Sequence, residues 1–194
     1  MKIVLASSSP RRQELLKQIG LDFDIIEANF GEIHDKRLSA HDIVLFNAKG
    51  KALSVESEKD VLLIAADTVV SLQNCAMGKP EDAGDAQRML EALSGKTHEV
   101  YTGVCVRHMG KIYCDVEMTR VSMRKLSARE ISGYISTKEP LDKAGAYGVQ
   151  GKGALLVEKI DGCFYNVVGL PLVCLMNLLK KAGYYFGYKE HAGR

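Results

Sequence analysis

The sequence lacks the long features that mark membrane, fibrous and disordered proteins. Its longest apolar run, over residues 167–179, is broken by a glycine, a proline and an asparagine and is too short to span a bilayer. Prolines number 4 and the 18 glycines show no period, which excludes a collagen-like chain. Hydrophobic residues make up 46% of the 194 residues, which excludes disorder. The remaining class is a globular protein with a sizeable core.

An excess of one charge is also lacking. The chain has 26 basic and 24 acidic residues, so its formal net charge is +2. Such a balance does not indicate a nucleic-acid or membrane surface, and any anion site must be local. An RNA-contacting domain is disfavoured because aromatic residues do not interleave a basic patch. Residues 1–6 are short and apolar, and we expect a first strand there and not a secretory signal.

Cysteines are few and lack a recognisable spacing. The five form no C-x-x-C motif, and Cys105 and Cys174 lie in apolar patterns. This predicts reduced, mostly buried thiols and a cytoplasmic location. The five histidines show no H-x-x-x-H spacing, which argues against a zinc site.

Three common catalytic motifs are missing. Residues 94–97 read SGKT, like the end of a Walker A loop, but Leu90 stands where that loop needs its first glycine. The chain contains neither a G-x-G-x-x-G fingerprint nor a G-x-S-x-G elbow. The motifs therefore exclude a P-loop ATPase, a Rossmann dehydrogenase and an α/β-hydrolase.

Segments of strand and helix character alternate along the chain, which predicts an α/β fold in a single unit over residues 1–194. A hairpin is expected at residues 108–110, and Ser127 with Glu130 forms a capping-box pattern. Strands are predicted over residues 2–6, 23–26, 61–72, 98–107, 111–123 and 154–160. Helices are predicted over residues 10–19, 40–55, 83–93, 128–135 and 170–182, with Ser9 and Ser39 as N-caps.

The segment between the first strand and the first helix has the features of a phosphate site. Serines at positions 7–9, including Ser8, precede a helix whose first turn carries Arg11 and Arg12. Two arginines beside the positive end of a helix are unfavourable unless an anion lies there. The alternative is a polar loop with surface arginines.

Asp67 interrupts a buried strand, where a carboxylate is costly unless it is paired, binds a metal or lies at a cleft. It is the candidate general base or metal ligand, with Thr68 as a second polar group at the same edge. Glu32, in a loop, becomes a second carboxylate for the cation that accompanies a polyphosphate. The alternatives are an Asp67 paired with a lysine and an ordinary exposed Glu32.

Three more residues are candidate ligands of the substrate. Lys51 falls on the apolar face of the second helix, where a snorkelling stem and a phosphate contact explain it equally. Lys79 lies in a turn and taken alone is a surface residue. Gln150 lies in a segment with four glycines between 145 and 153, and its amide can read the edge of a base.

With these residues, the sequence closely resembles the Maf family of nucleoside triphosphate pyrophosphatases over roughly residues 3–179. The motifs are SSSPRRQELL at 7–16, ADTVV at 66–70, GKP at 78–80, LSG at 93–95, HEVYTGV at 98–104, EPLDKAGAYGVQG at 139–151 and VGLPL at 168–172.

The resemblance implies a two-lobed, three-layer α/β sandwich around an elongated mixed sheet, of the Maf and inosine-triphosphatase type, with the active site in the cleft between the lobes. It also implies hydrolysis of nucleoside triphosphates to the monophosphate and diphosphate, with Mg²⁺ or the alternatives Mn²⁺ and Co²⁺, and a link of bacterial members to septum formation. Asp67 matches the catalytic proton acceptor of the family. The polar cleft residues of the family match Arg11, Arg12, Glu32, Lys51 and Lys79.

Arg11, Thr68 and Gln150 resemble the dTTP/UTP-type group, whereas the 7-methyl-GTP-type group has Trp, Gln and Glu at these places. The family usually has two adjacent acidic residues before the second helix, and this chain departs from that pattern because Gly31 precedes Glu32.

The competing hypothesis for the function is a nucleotide-sensing regulator of division, which binds nucleotides without hydrolysing them. The aromatic tail at residues 184–186 either covers a homodimer contact or packs on its own lobe.

Overall fold

The computed structural model describes residues 1–35 and 37–187 and confirms the α/β fold. The strands are β1 (Ile3–Leu5), β2 (Asp24–Ile25), β3 (Leu62–Leu72), β4 (Cys75–Met77), β5 (Thr97–His108), β6 (Lys111–Met123) and β7 (Val157–Asp161). The α-helices are α1 (Pro10–Gln18), α2 (Ala40–Ser54), α3 (Ala83–Leu93), α4 (Ala128–Ser136), α5 (Phe164–Val168) and α6 (Leu172–Lys181). Short 3₁₀ turns span Glu139–Asp142, Ala144–Ala146 and Gly151–Leu156.

The seven strands form one mixed sheet in the order β2-β1-β3-β5-β6-β7, with β4 paired to β3. β1 runs parallel to β2 and β3, and the other pairs are antiparallel. β5 occupies one edge of β3, so β1 and β4 share the other edge, at residues 62–64 and 70–72 respectively. Between residues 64 and 70, this edge of β3 pairs with no strand in the described part of the chain. The candidate site lies at this gap.

Helices cover both faces of the sheet in three layers. In β3, Leu62 and Ile64 face the main core, which also contains side chains of α1, α3, α4 and α6. Leu63 and Ala65 face the opposite side, where they pack with Ala48 and Ala52 of α2. β3 is therefore buried on both faces, which explains its nearly continuous apolar sequence.

Most predicted elements are present, and the differences lie in short segments. The strand expected over 154–160 begins at Val157, because residues 151–156 form 3₁₀ turns. β4 and α5 were not predicted; β4 follows a tight turn in which Gln73 and Asn74 have positive φ. Ser39 and Ser127 cap their helices as expected, but the side chain of Ser9 makes no capping hydrogen bond.

The prediction of reduced thiols is wrong for two cysteines. Cys105 and Cys114 lie opposite each other in the β5–β6 hairpin, with Cα atoms 4.1 Å apart, and form a disulfide. The other three are free thiols: Cys75, Cys163 and Cys174. In the part of the chain that the structure describes, every helix is too short or too polar to span a bilayer.

The aromatic tail packs on the chain's own core. Tyr184 and Phe186 contact the main core and each other, with ring centroids 5.4 Å apart, while Tyr185 is exposed. This favours the second of the two roles considered for the tail. The unassigned residues 188–194 lie outside the described residues.

Candidate active site

A polar cavity of about 460 Å³ opens at the gap in the edge of β3. Its walls are the loop after β1, the segment 27–34, the middle of β3, the turn after β4, and the glycine-rich segment after α4. All nine residues predicted from the sequence line this one cavity: Ser8, Arg11, Arg12, Glu32, Lys51, Asp67, Thr68, Lys79 and Gln150.

Asp67 is buried in the middle of β3, with 4% of its surface exposed, and α2 holds its carboxylate. Oδ1 accepts a hydrogen bond from Lys51 Nζ at 2.7 Å, and Oδ2 accepts one from Asn47 Nδ2 at 3.0 Å. Residues 47 and 51 lie one helical turn apart, so one face of α2 supplies both donors. The carboxylate therefore has the partners that its burial requires.

Lys51 lies between two carboxylates. Its ammonium is 2.6 Å from Glu32 Oε1 and 2.7 Å from Asp67 Oδ1, and 12% of its side chain is exposed. The Lys51 ammonium is therefore held at the cavity by two ion pairs and does not extend along an apolar surface into solvent.

Glu32 and Asp67 supply carboxylate oxygens, the donors that a divalent cation prefers, but a lysine ammonium lies between them. Residues 1–35 and 37–187 contain no group of three His, Cys, Asp or Glu side chains that could hold a metal. The two carboxylates converge on the Lys51 ammonium, so a Mg²⁺ ion held by both would replace that ammonium and take its other ligands from substrate phosphates and water. Glu32 and Asp67 thus offer two ligands at most for such an ion.

The Arg12 side chain lies at the gap and donates to a backbone carbonyl of β3, as a neighbouring strand would. Its guanidinium donates from Nη1 to the Ala66 carbonyl at 2.9 Å, and from Nε to the Gly169 carbonyl at 2.8 Å. Further bonds run to Ser7 Oγ and Thr68 Oγ1, at 3.2 and 3.1 Å. Four of its five N–H groups are therefore used inside the protein. Burial lowers the pKa of Arg12, and the Asp67 carboxylate opposes this shift.

Arg11 is more exposed and its partner is acidic. Nη1 donates to Asp142 Oδ2 at 2.9 Å, and Nη2 to the Asp142 carbonyl at 3.3 Å. This contact joins the start of α1 to the segment after α4 across the cavity. Ser8 and Lys79 are exposed at the rim.

Thr68 points to the face of the sheet opposite Asp67 and belongs to a chain of hydroxyl groups. Thr102 Oγ1 donates to the Asn166 carbonyl at 3.2 Å, so the 3.0 Å contact between the two threonines uses the proton of Thr68. Because Arg12 donates to the same Thr68 oxygen, the threonine fixes the arginine as well as lining the cavity.

Gln150 is exposed on a segment that is fastened on both sides. Before it, the Gly148 N–H donates to the Tyr134 hydroxyl at 3.2 Å. After it, the Lys152 and Gly153 N–H groups donate to the carboxylate of Glu139 at 3.1 and 3.2 Å. Tyr134 itself donates to Glu139 at 3.0 Å, which joins the two sides.

A buried histidine supports the same segment. His98 Nε2 lies 2.7 Å from the hydroxyl of Tyr147, and Tyr147 lines the cavity. Burial lowers the pKa of His98 to about 4, so its imidazole is neutral near pH 7. Sequence reasoning had not singled out His98, Tyr134 or Glu139, since their role depends on contacts between distant segments.

Asn47 was also missed. It is fully buried, and besides its bond to Asp67 it pairs with both backbone groups of Ile33: Oδ1 accepts from the N–H at 2.9 Å, and Nδ2 donates to the carbonyl at 3.2 Å. The available signal was an asparagine on the apolar face of a helix, beside Val44 and Ala48.

Gly103 sets the distance between α2 and the sheet. It is the register partner of Asp67 on β5, and a Cβ at this position would overlap the carbonyl of Val44. The backbone of α2 therefore rests directly on β5 beside Asp67, within reach of Asn47 and Lys51.

Comparison with known proteins gives the family. The family model described as Maf-like protein matches residues 2–182. A dTTP/UTP pyrophosphatase of Caldicellulosiruptor bescii is 50% identical over 190 residues, 94% of this chain and 96% of that protein. The dTTP/UTP pyrophosphatase of Bacillus thuringiensis subsp. konkukian is 46% identical over 181 residues, 93% of this chain and 95% of that protein.

A solved structure supports the fold alone. The Ham1 protein of Staphylococcus aureus aligns with a TM-score of 0.51 at 12% identity, covering 93% of this chain and 97% of that chain. Since the family model spans nearly the whole sequence and relatives at 46–50% identity align over most of it, the chain belongs to the Maf family.

Proposed function

We propose that the chain is a nucleoside triphosphate pyrophosphatase that hydrolyses dTTP and UTP to the monophosphate and diphosphate. The observation that carries this proposal is the convergence of basic, acidic and amide side chains in one cavity, around a carboxylate held in a buried strand. The curated relatives at 46–50% identity bear the name of this activity.

The basic groups hold the triphosphate. Arg12 keeps one N–H group for a phosphate oxygen, and the N-terminus of α1 adds unpaired backbone donors next to Ser8. Arg11 and Lys79 neutralise the outer phosphates from the rim. Positioning and charge neutralisation of this kind supply most of the catalysis in phosphoryl transfer.

We propose that Glu32 and Asp67 hold a divalent cation, Mg²⁺ or the alternatives Mn²⁺ and Co²⁺, together with the phosphates. When bound, this cation neutralises charge on the phosphates and on the leaving diphosphate. Lys51 balances the acidic pair in this structure, and the proposal requires its ammonium to move from the two carboxylates to a phosphate oxygen when cation and substrate bind. Titration of Mn²⁺ into Glu32→Gln with a non-hydrolysable dTTP analogue should show weaker cation binding than the parent. Equal affinities exclude Glu32 as a ligand.

Asp67 takes the proton of the attacking water. Its position in the cavity, with both oxygens oriented by α2, suits a general base. Asp67→Asn should lower turnover by roughly 10²–10⁴-fold, the range for lost acid–base catalysis, while the fold is kept. The measurement is the release of dTMP and diphosphate from dTTP with Mg²⁺. A variant near parental activity would refute this role.

The same assay separates the enzyme from a nucleotide-sensing regulator. Saturable dTTP binding without diphosphate release by the parent protein identifies the regulator. A link to septum formation is a separate proposal, which the cell shape of a deletion strain tests.

Gln150 selects the nucleobase of the substrate. Its amide can donate to a pyrimidine carbonyl and accept from a ring N–H, whereas a carboxylate cannot donate. Gln150→Glu should therefore reduce kcat/KM for dTTP and UTP more than for GTP. Equal losses across the bases remove Gln150 from recognition.

We also propose that the protein acts in the cytoplasm, on the free nucleotide pool, without nucleic-acid or membrane partners. Cell fractionation tests the location. The homodimer considered from the sequence is tested by light scattering of the purified protein.

A further inference from the structure

The Asn47 amide joins the two acidic segments of the site. Its three hydrogen bonds use both N–H groups and the oxygen: two go to the Ile33 backbone and one to Asp67 Oδ2. Ile33 follows Glu32 in the chain, so one buried amide fixes both the Asp67 carboxylate and the backbone that carries Glu32. Lys51, one turn further along α2, contacts the same two carboxylates.

We propose that Asn47 is a positioning residue of the reaction, which acts through Asp67. With Asn47 on one oxygen and Lys51 on the other, the Asp67 carboxylate cannot rotate without breaking a buried hydrogen bond. Loss of the Asn47 donor leaves Lys51 as its anchor on α2. This inference rests on the proposed role of Asp67 as the base.

The surroundings of Asn47 argue against mere packing. Its helical neighbours Val44 and Ala48 are fully buried apolar residues, and a leucine of similar volume would fill the position without the cost of burying an amide. The amide is favourable there because its oxygen and both of its N–H groups are hydrogen-bonded, two of them to the Ile33 backbone and one to Asp67. Its three bonds match the Asp67 carboxylate and the Ile33 backbone, which packing alone does not require.

The inference predicts a loss in kcat and little change in substrate affinity. Arg12 and Lys79, which hold phosphates, do not contact Asn47. A misplacement of the base on the order of 1 Å lowers turnover roughly 10²-fold. Asn47→Leu should therefore lower kcat for dTTP about 10²-fold, with an unchanged Kd for a non-hydrolysable dTTP analogue measured without a divalent cation.

The test is a double-mutant cycle of Asn47→Leu with Asp67→Asn. If Asn47 acts through Asp67, its substitution costs far less turnover in the Asp67→Asn background than in the parent. Asn166→Leu is the matched control: Asn166 is also fully buried, and its amide donates to the Val100 carbonyl and Thr119 without contacting Asp67. Its effect on kcat should be the same in both backgrounds.

The outcomes separate this inference from the proposed function. Equal fold-losses of Asn47→Leu in both backgrounds, with Asp67→Asn strongly impaired, overturn the positioning role and leave the pyrophosphatase proposal standing. A nearly fully active Asp67→Asn overturns both. If Asn47→Leu does not fold, as judged by circular dichroism, the smaller Asn47→Ser replaces it in the same cycle, with the same expected loss of kcat and the same refuting result.

Discussion

Replacement of Arg12 by lysine should destabilise the protein far more than a charge-conserving change at a cleft normally does. The guanidinium donates to four oxygens, two of them backbone carbonyls of Ala66 and Gly169 that belong to separate segments. A lysine ammonium keeps the charge but is a single point, so it cannot reproduce the planar fork. The Ala66 carbonyl, at the gap in the edge of β3, then loses its donor.

The magnitude follows from the bonds lost. If the ammonium replaces two of the four bonds, two remain unmade. Each bond from a charged donor contributes about 1.5 kcal/mol at the low end of its range, so the expected loss is about 3 kcal/mol. With a urea m-value of about 2 kcal/mol/M, the unfolding midpoint should fall by about 1.5 M.

Urea unfolding followed by circular dichroism measures this shift, and Arg11→Lys is the matched control. Arg11 pairs with Asp142 at a more exposed position, where the side chain of Asp142 is 58% exposed, and such pairs contribute less than about 1 kcal/mol. The control midpoint should therefore move by less than about 0.5 M. If both variants shift the midpoint equally, the hydrogen bonds of Arg12 do not stabilise the unpaired edge of β3.

Two further predictions concern the segment that carries Gln150. In Glu139→Gln, an amide nitrogen replaces one of the two carboxylate oxygens that accept from the Lys152 and Gly153 N–H groups. The ratio of kcat/KM for dTTP to that for GTP should therefore fall several-fold. An unchanged ratio contradicts the idea that Glu139 positions Gln150. Stability should fall between about pH 6.5 and pH 4, because unfolded His98 binds a proton that the folded residue, with its pKa near 4, does not. The loss in free energy of unfolding is about 3 kcal/mol. The urea midpoints of His98→Gln at pH 7 and pH 4.5 should differ less than the two midpoints of the parent. Equal differences exclude His98 as the cause.

The elements with a strong local signal could be predicted from the sequence. α3 and β6 coincide with their predicted ranges, and α2 agrees to within one residue, because capping residues and long apolar patterns define them locally. The cavity could be predicted as well, since two arginines at a helix start are unfavourable without an anion and a carboxylate in an apolar strand is costly unless it is paired, binds a metal or lies at a cleft. All nine candidates line it.

The remaining features depend on register and on long-range contacts. A turn at residues 108–110 would pair Arg107 with Lys111 and place Cys105 opposite Tyr113, whereas the observed two-residue turn pairs His108 with Lys111. This shift of one residue brings Cys105 to Cys114 and forms the disulfide. Likewise, the role proposed for Asn47 rests on its contact with Asp67 of β3, twenty residues away, which no local pattern contains.

The closeness of Gly103 to Val44 means that a residue without a side chain sets how Asn47 and Lys51 are placed relative to Asp67. Adding one methyl group there would push the helix outward and carry the amide and the ammonium away from the acid, although no atom that touches the nucleotide had been altered. We therefore expect inactivating substitutions also where α2 packs on the sheet, behind the wall of the cleft.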